Sequence, residues 1–202
     1  DQLSNLSESE LSKDTESSLG ETVENLKNGN FQEAQITGTN SLENLDNMMQ
    51  IMSDIQQNFQ KETVSKMTQK FEKLMQSMLY LSSQEEDLKT VVDKTYRNSP
   101  RLKSLAASQQ ILQDQLQSIT NQMMELSKET FAITPEIGKG IGKANAGMQE
   151  AKTKLTERNT IKAGESQNFA MQGLNEAALG LFNSIENMQK SGSASGFEQF
   201  MQ

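Results

Sequence analysis

"TPEIGKGIGKANAG", Thr134 to Gly147, has the glycines and lysines of a phosphate cradle, and its reading decides the fold. A P-loop needs Gly, four residues, then Gly-Lys-Ser/Thr after a strand, because backbone N–H groups hold the phosphate and the hydroxyl holds magnesium. Counting back from Gly142-Lys143, the first position is Ile137 and the hydroxyl position is Ala144. The preceding "MMELSKETFAI" reads as helix, and Gly138, Gly140 and Gly142 miss the Gly-x-Gly-x-x-Gly spacing. At helical period the letters make sense: Gly138 with Gly142, and Gly140 with Ala144, Gly147 and Ala151, are small residues three and four apart. They flank an Ile137, Ile141, Ala144, Met148 seam, where small side chains let a neighbouring backbone approach. Each helical Gly costs about 1 kcal/mol against Ala, so the set implies close helix packing.

Working outward, the punctuation on both sides is helical. Thr134 caps and Pro135 leads the glycine helix, as Ser99 and Pro100 do for the one before it. Between them Leu102, Leu105, Gln109, Leu112, Leu116, Ile119, Met123 and Leu126 alternate steps of three and four, with Gln109 the single polar intruder. Beyond "ERNTIKAGE", where Asn159 and Thr160 either cap a new helix or form a bend, Ala163, Ala170, Leu174, Ala177, Leu181, Ile185 and Met188 keep heptad steps. Upstream, Ser41 to Arg97 contains neither Pro nor Gly, and apolar residues recur from Leu45 to Val92. That predicts one helix of roughly 85 Å at about 1.5 Å per residue. Asn40 and Glu43 read as its capping box, and Ser83 with Glu86 leaves a restart near Ser82 open. The "NGN" at Asn28 to Asn30 ends a weakly anchored acidic helix over residues 7–28.

Short turns make successive helices antiparallel. The expected fold is all-α: an elongated antiparallel bundle of about four helices over 60–190, with a long helix projecting as a hairpin over 1–59. Residues 191–202, beginning "SGSASG", read as a flexible linker and the start of a further segment. The chain opens without Met and stops as a new amphipathic stretch begins, so a piece of a longer protein is expected.

Composition removes most chemistry. With no His, Cys or Trp, the usual general base, thiol nucleophile, zinc site and disulfide are missing, so no enzyme, catalytic residue, metal or cofactor is expected. Net charge is -8, and residues 1–30 carry seven acids against two bases. An acidic chain without a basic face does not suit nucleic acid or an anionic membrane. No apolar run reaches the twenty or so residues of a membrane helix, so membrane contact within this stretch is not expected. Arg97, Arg101 and Lys103 read as a solvated helix end, and Glu85, Glu86 and Asp87 as a helix start.

The methionines of "NMMQIMSDI" and "EKLMQSMLYL" fall mostly on the seam as core, but Met49 and Met75 widen the stripe enough for another helix to dock. The nominated docking face is Met48, Met52, Ile55 and Phe59. An alternative is reversible binding to a lipid or polymer surface, although such helices usually carry lysines along the apolar edge.

The phrases "LSSQEEDLKTVV", "SLAASQQILQDQLQSI" and "ESQNFAMQGLNEAALGLFNSIENMQ" resemble the C-terminal helical region of large bacterial membrane-anchored proteins of unknown function. The resemblance covers Leu81 to Met188 and carries no catalytic residue across. It implies an envelope-associated or periplasmic setting, held by an anchor outside residues 1–202. The expected role is a spacer or docking part, whose partner is another protein or the rest of its own parent chain.

Overall fold

A computed structural model describes residues 2–191, and the predicted linker after Ser191 lies outside the described residues. The fold is all-α, with six helices among the described residues and helical-bundle packing. They are α1 (Gln2–Ser7), α2 (Glu10–Lys27), α3 (Phe31–Asp93), α4 (Leu102–Ser127), α5 (Pro135–Thr156) and α6 (Thr160–Ser191). Two compact units result, residues 1–63 and residues 64–202.

Most helix ends follow local chemistry. Gly29 takes φ 77° in the turn after α2, where a Cβ would be strained. The Ser99 hydroxyl accepts from the Arg101 N–H ahead of α4, but the regular helix begins three residues after Ser99, at Leu102, so Ser99 and Pro100 stand in the preceding turn and Arg101 takes the cap position. Thr134 is extended and Pro135 opens α5. The Asn159 side chain accepts from the Lys162 N–H, so Asn159 caps α6. α3 departs from the expectation at both doubtful points. It begins at Phe31, passes through Gly38 without a new cap at Asn40, and shows no restart near Ser82. One glycine costs a helix about 1 kcal/mol and does not break α3, and a Cβ on Gly38 would make only ordinary contact with Thr22 at 3.6 Å.

In residues 64–202 the second half of α3 packs with α4, α5 and α6 around one core. Phe71, Met78, Leu81 and Val92 of α3 meet Leu112 and Leu116 of α4, Ile137 and Met148 of α5, and Leu174 and Leu181 of α6 in a single buried cluster. The Ser184 hydroxyl donates to the Ala132 carbonyl at 2.7 Å, tying α6 to the turn before α5.

Residues 1–63 pack by other means. α2 and the first part of α3 form an antiparallel hairpin whose seam is lined by hydroxyls. Thr22 and Thr37 hydroxyls are 2.8 Å apart, and those of Ser18 and Ser41 are 2.9 Å apart. Thr15, Ala34 and Ser41 are buried there, while Leu19, Val23 and Leu26 of α2 face solvent.

Candidate interaction surface

Three constructions distinguish the molecule: a backbone contact between α5 and α6, a buried polar layer, and an apolar stripe on the hairpin.

At the α5–α6 contact, a Cβ on Gly140 would lie 2.8 Å from the Ala177 nitrogen and from the Gly173 carbonyl oxygen. One on Gly147 would lie 2.6 Å from the Ala170 nitrogen, and one on Gly173 would lie 2.5 Å from the Ala144 nitrogen. These are distances to backbone, so the helices touch with no side chain between them. Ala144 and Ala151 are buried on the same face. Gly138 and Gly142 correct the expectation: both are exposed, and a Cβ on either meets nothing within 4 Å. They keep helical spacing with each other but lie off the seam. Sequence reading missed the reciprocal Gly173, although Ala170, Gly173, Ala177 and Gly180 mirror the α5 pattern in steps of three and four.

The polar layer crosses the core of the same unit. Glu85 of α3, Gln109 of α4 and Gln167 of α6 are each wholly buried. The Gln109 Nε2 donates to both Glu85 oxygens at 2.8 Å, and the Gln167 Nε2 donates to the Gln109 Oε1 at 2.9 Å. Gln167 Oε1 has no donor among the described residues. Burial pushes the Glu85 carboxyl up to about 7, against the opposing pull of the Gln109 amide. Glu85 therefore belongs to the core; it does not open a helix. The Gln109 intruder was visible in the α4 heptads, but its partners lie 24 and 58 positions away and have no local signature.

Of the nominated docking residues, Met48 is half-buried in the hairpin seam, where the Thr15 hydroxyl lies 3.7 Å from its sulfur. Ile55 is also half-buried, whereas Met52 and Phe59 are exposed. The open stripe of α3 is displaced by one residue: Leu42, Leu45, Met49 and Met52 follow steps of three, four and three, and Met49 is 68% exposed. In an antiparallel pair, stepping one residue on from the seam turns to the same side on both helices. Leu19, Val23 and Leu26 follow Ser18, Thr22 and Asn25, and Leu42, Leu45 and Met49 follow Ser41, Asn44 and Met48. One side of the hairpin thus carries two apolar stripes that follow one another along its hydroxyl seam.

Arg97 and Arg101 lie in the α3–α4 turn and Lys103 in the first turn of α4, and all three are solvent-exposed. No helix among the described residues is long and apolar enough to cross a membrane. A shallow recess between α3 and α4, beside Leu74 and Leu126, is bordered by the Lys70–Glu129 ion pair.

Residues 83–201, more than half of the chain, match the family described as Domain of unknown function (DUF4175). The chain belongs to the DUF4175 family. The DUF4175 match takes in the last part of α3 and all of α4, α5 and α6, and so both the glycine contact and the Glu85 layer. The hairpin with its apolar stripes lies outside the DUF4175 span. No curated protein and no solved structure matches the chain.

Proposed function

We propose that the chain is a non-catalytic interaction module, in which the DUF4175 bundle is a rigid helical part and the N-terminal hairpin presents a docking face. The observation that carries this is the inverted packing of the hairpin. Thr15, Ser18, Thr22, Thr37 and Ser41 close the α2–α3 seam, while Leu19, Val23, Leu42, Leu45, Met49 and Met52 are left open. Contiguous exposed apolar stripes mark sites of association, and methionine adapts to varied partners. The absence of His and Cys supports the non-catalytic part of this reading. The resemblance of residues 81–188 to bacterial membrane-anchored proteins supports a spacer or docking role within an envelope-associated parent.

The test replaces Leu42, Leu45, Met49 and Met52 together by Gln and follows thermal and urea unfolding by circular dichroism. A docking face leaves stability within about 0.5 kcal/mol per site, as for other surface substitutions. A loss of about 2 kcal/mol or more per site, the size of a core truncation, would make the stripe part of the chain's own core and overturn the proposal. The same exposed methionines favour a second reading, reversible binding to a lipid surface. Flotation with zwitterionic and anionic vesicles tests it, and absence from both vesicle fractions removes it.

A further inference from the structure

The docking reading leaves the chemistry of the partner open, and the hairpin's shape and charge narrow it. With Ser18 opposite Ser41 and Thr22 opposite Thr37, the α2 stripe runs from Leu19 toward the turn and the α3 stripe runs from Leu42 away from it, so on one side of the hairpin they follow one another and meet at Leu19 and Leu42. That is the surface of a helical bundle lacking one member: a third helix laid along the seam would place its apolar face on Val23, Leu19, Leu42, Leu45, Met49 and Met52 in succession. The three- and four-residue steps along α3 match a helix and not an extended strand, whose side chains alternate with period two.

Charge selects which helix. Residues 1–63 carry twelve acids against three bases. Between Lys27 and Lys61 there is no basic residue, while Glu33, Glu43, Asp46 and Asp54 fall in that span. Asp46 lies four after Leu42 and three before Met49, and Glu16 lies three before Leu19, so a carboxylate borders each stripe. One base, Lys27, borders the groove at its turn end. A second copy of the hairpin would bring the same acids against these, and like charges facing across an interface disfavour it. An anionic membrane is disfavoured for the same reason.

We infer that the open side of the N-terminal hairpin receives one amphipathic helix of a partner protein, apolar on the face it buries and basic along its edges. This rests on the docking reading above. The helix lies on the hydroxyl seam between α2 and α3, and its lysines or arginines meet Glu16 and Asp46 while its apolar residues cover the leucines and methionines.

The experiment uses the full chain and two labelled three-heptad peptides, both with leucine at the heptad core positions, one with lysine and one with glutamate elsewhere. Fluorescence anisotropy is followed at low and at physiological salt. The lysine peptide is expected to bind and the glutamate peptide not to. The double substitution Leu42→Gln with Met49→Gln, at two exposed sites, should weaken the lysine peptide at least about tenfold. Leu79→Gln with Phe182→Gln, exposed apolar sites in the other unit, should leave it unchanged. Equal binding of both peptides, or lysine-peptide binding that the Leu42 and Met49 substitutions do not weaken, overturns the inference. So does a self-associated chain whose dimer is lost on those substitutions, or flotation with zwitterionic vesicles that they abolish. Any of these results combined with an unchanged unfolding midpoint for the four-site variant refutes the partner's chemistry and leaves the docking reading standing. A lowered midpoint refutes the docking reading itself.

Discussion

Gly142 and Gly147 stand five positions apart in the same helix and have opposite surroundings. Around Gly147 the α6 backbone is so near that any Cβ collides with it, and around Gly142 the space is open. Alanine gains about 1 kcal/mol over glycine from helix propensity alone. Gly142→Ala should therefore stabilise the bundle by about that amount. Gly147→Ala must push α6 away, at an overpacking cost of about 1–3 kcal/mol that exceeds the propensity gain. Chemical denaturation of the two single variants checks this; equal shifts of the same sign would contradict the backbone contact. The glycines also show what was legible at this scale. That the segment is a helix and not a phosphate loop follows from its spacing and its Thr134-Pro135 start. Which glycines touch a neighbour follows from the seam. Gly140, Ala144, Gly147 and Ala151 keep steps of four, three and four along it, whereas Gly138 and Gly142 sit to one side.

Between elements, the Glu85 layer joins α3, α4 and α6 through hydrogen bonds that only the folded bundle provides. No other charged side chain among the described residues is buried. The Glu85 carboxyl titrates near 7 in the folded chain and at the ordinary 4.5 when unfolded, so the native state holds the proton more tightly. This contribution is fully present below pH 4.5 and is lost as pH rises through 7, for a change of about 3 kcal/mol. Glu85→Gln keeps an amide oxygen for Gln109 and removes the titration. Unfolding free energy measured from pH 4.5 to pH 8 should fall less steeply in the variant than in the native chain. Parallel profiles would mean that Glu85 is not the group responsible. Helix ends at Asn28–Asn30 and Pro135 and the heptads of α4, α5 and α6 were legible because caps and periodicity are local, while at Asn159 the sequence left a cap and a bend open. Two features were not legible. Glu85 pairs with residues far along the chain, and the α2–α3 seam is made of Ser and Thr, which leave no trace in a hydropathy pattern. The expected docking face took in Met48 and Ile55, which lie on the apolar seam of α3 itself. The hairpin divides the apolar side of α3, covering Met48 and leaving Met49 and Met52 open.

Across the whole molecule, charge and packing are unevenly shared. The excess of acids falls in residues 1–63, where twelve oppose three bases, and the large apolar core falls in residues 64–202. The DUF4175 match covers 83–201 and so takes in the glycine contact and the polar layer of this chain, whereas the stripe-bearing hairpin is outside it. The methionines report on this division because they are present in both units. Met49 and Met52 are exposed on the hairpin, whereas Met78 and Met148 are wholly buried in the bundle core. Hydrogen peroxide converts methionine to the sulfoxide at a rate that follows solvent access. The most direct test of the docking face is therefore the oxidation rate of each methionine in the native chain, read by peptide mass spectrometry. Met49 and Met52 should oxidise well ahead of Met78 and Met148. Protection of Met49 and Met52 equal to that of Met148 would mean the stripe is already covered, and the hairpin would have no face to offer.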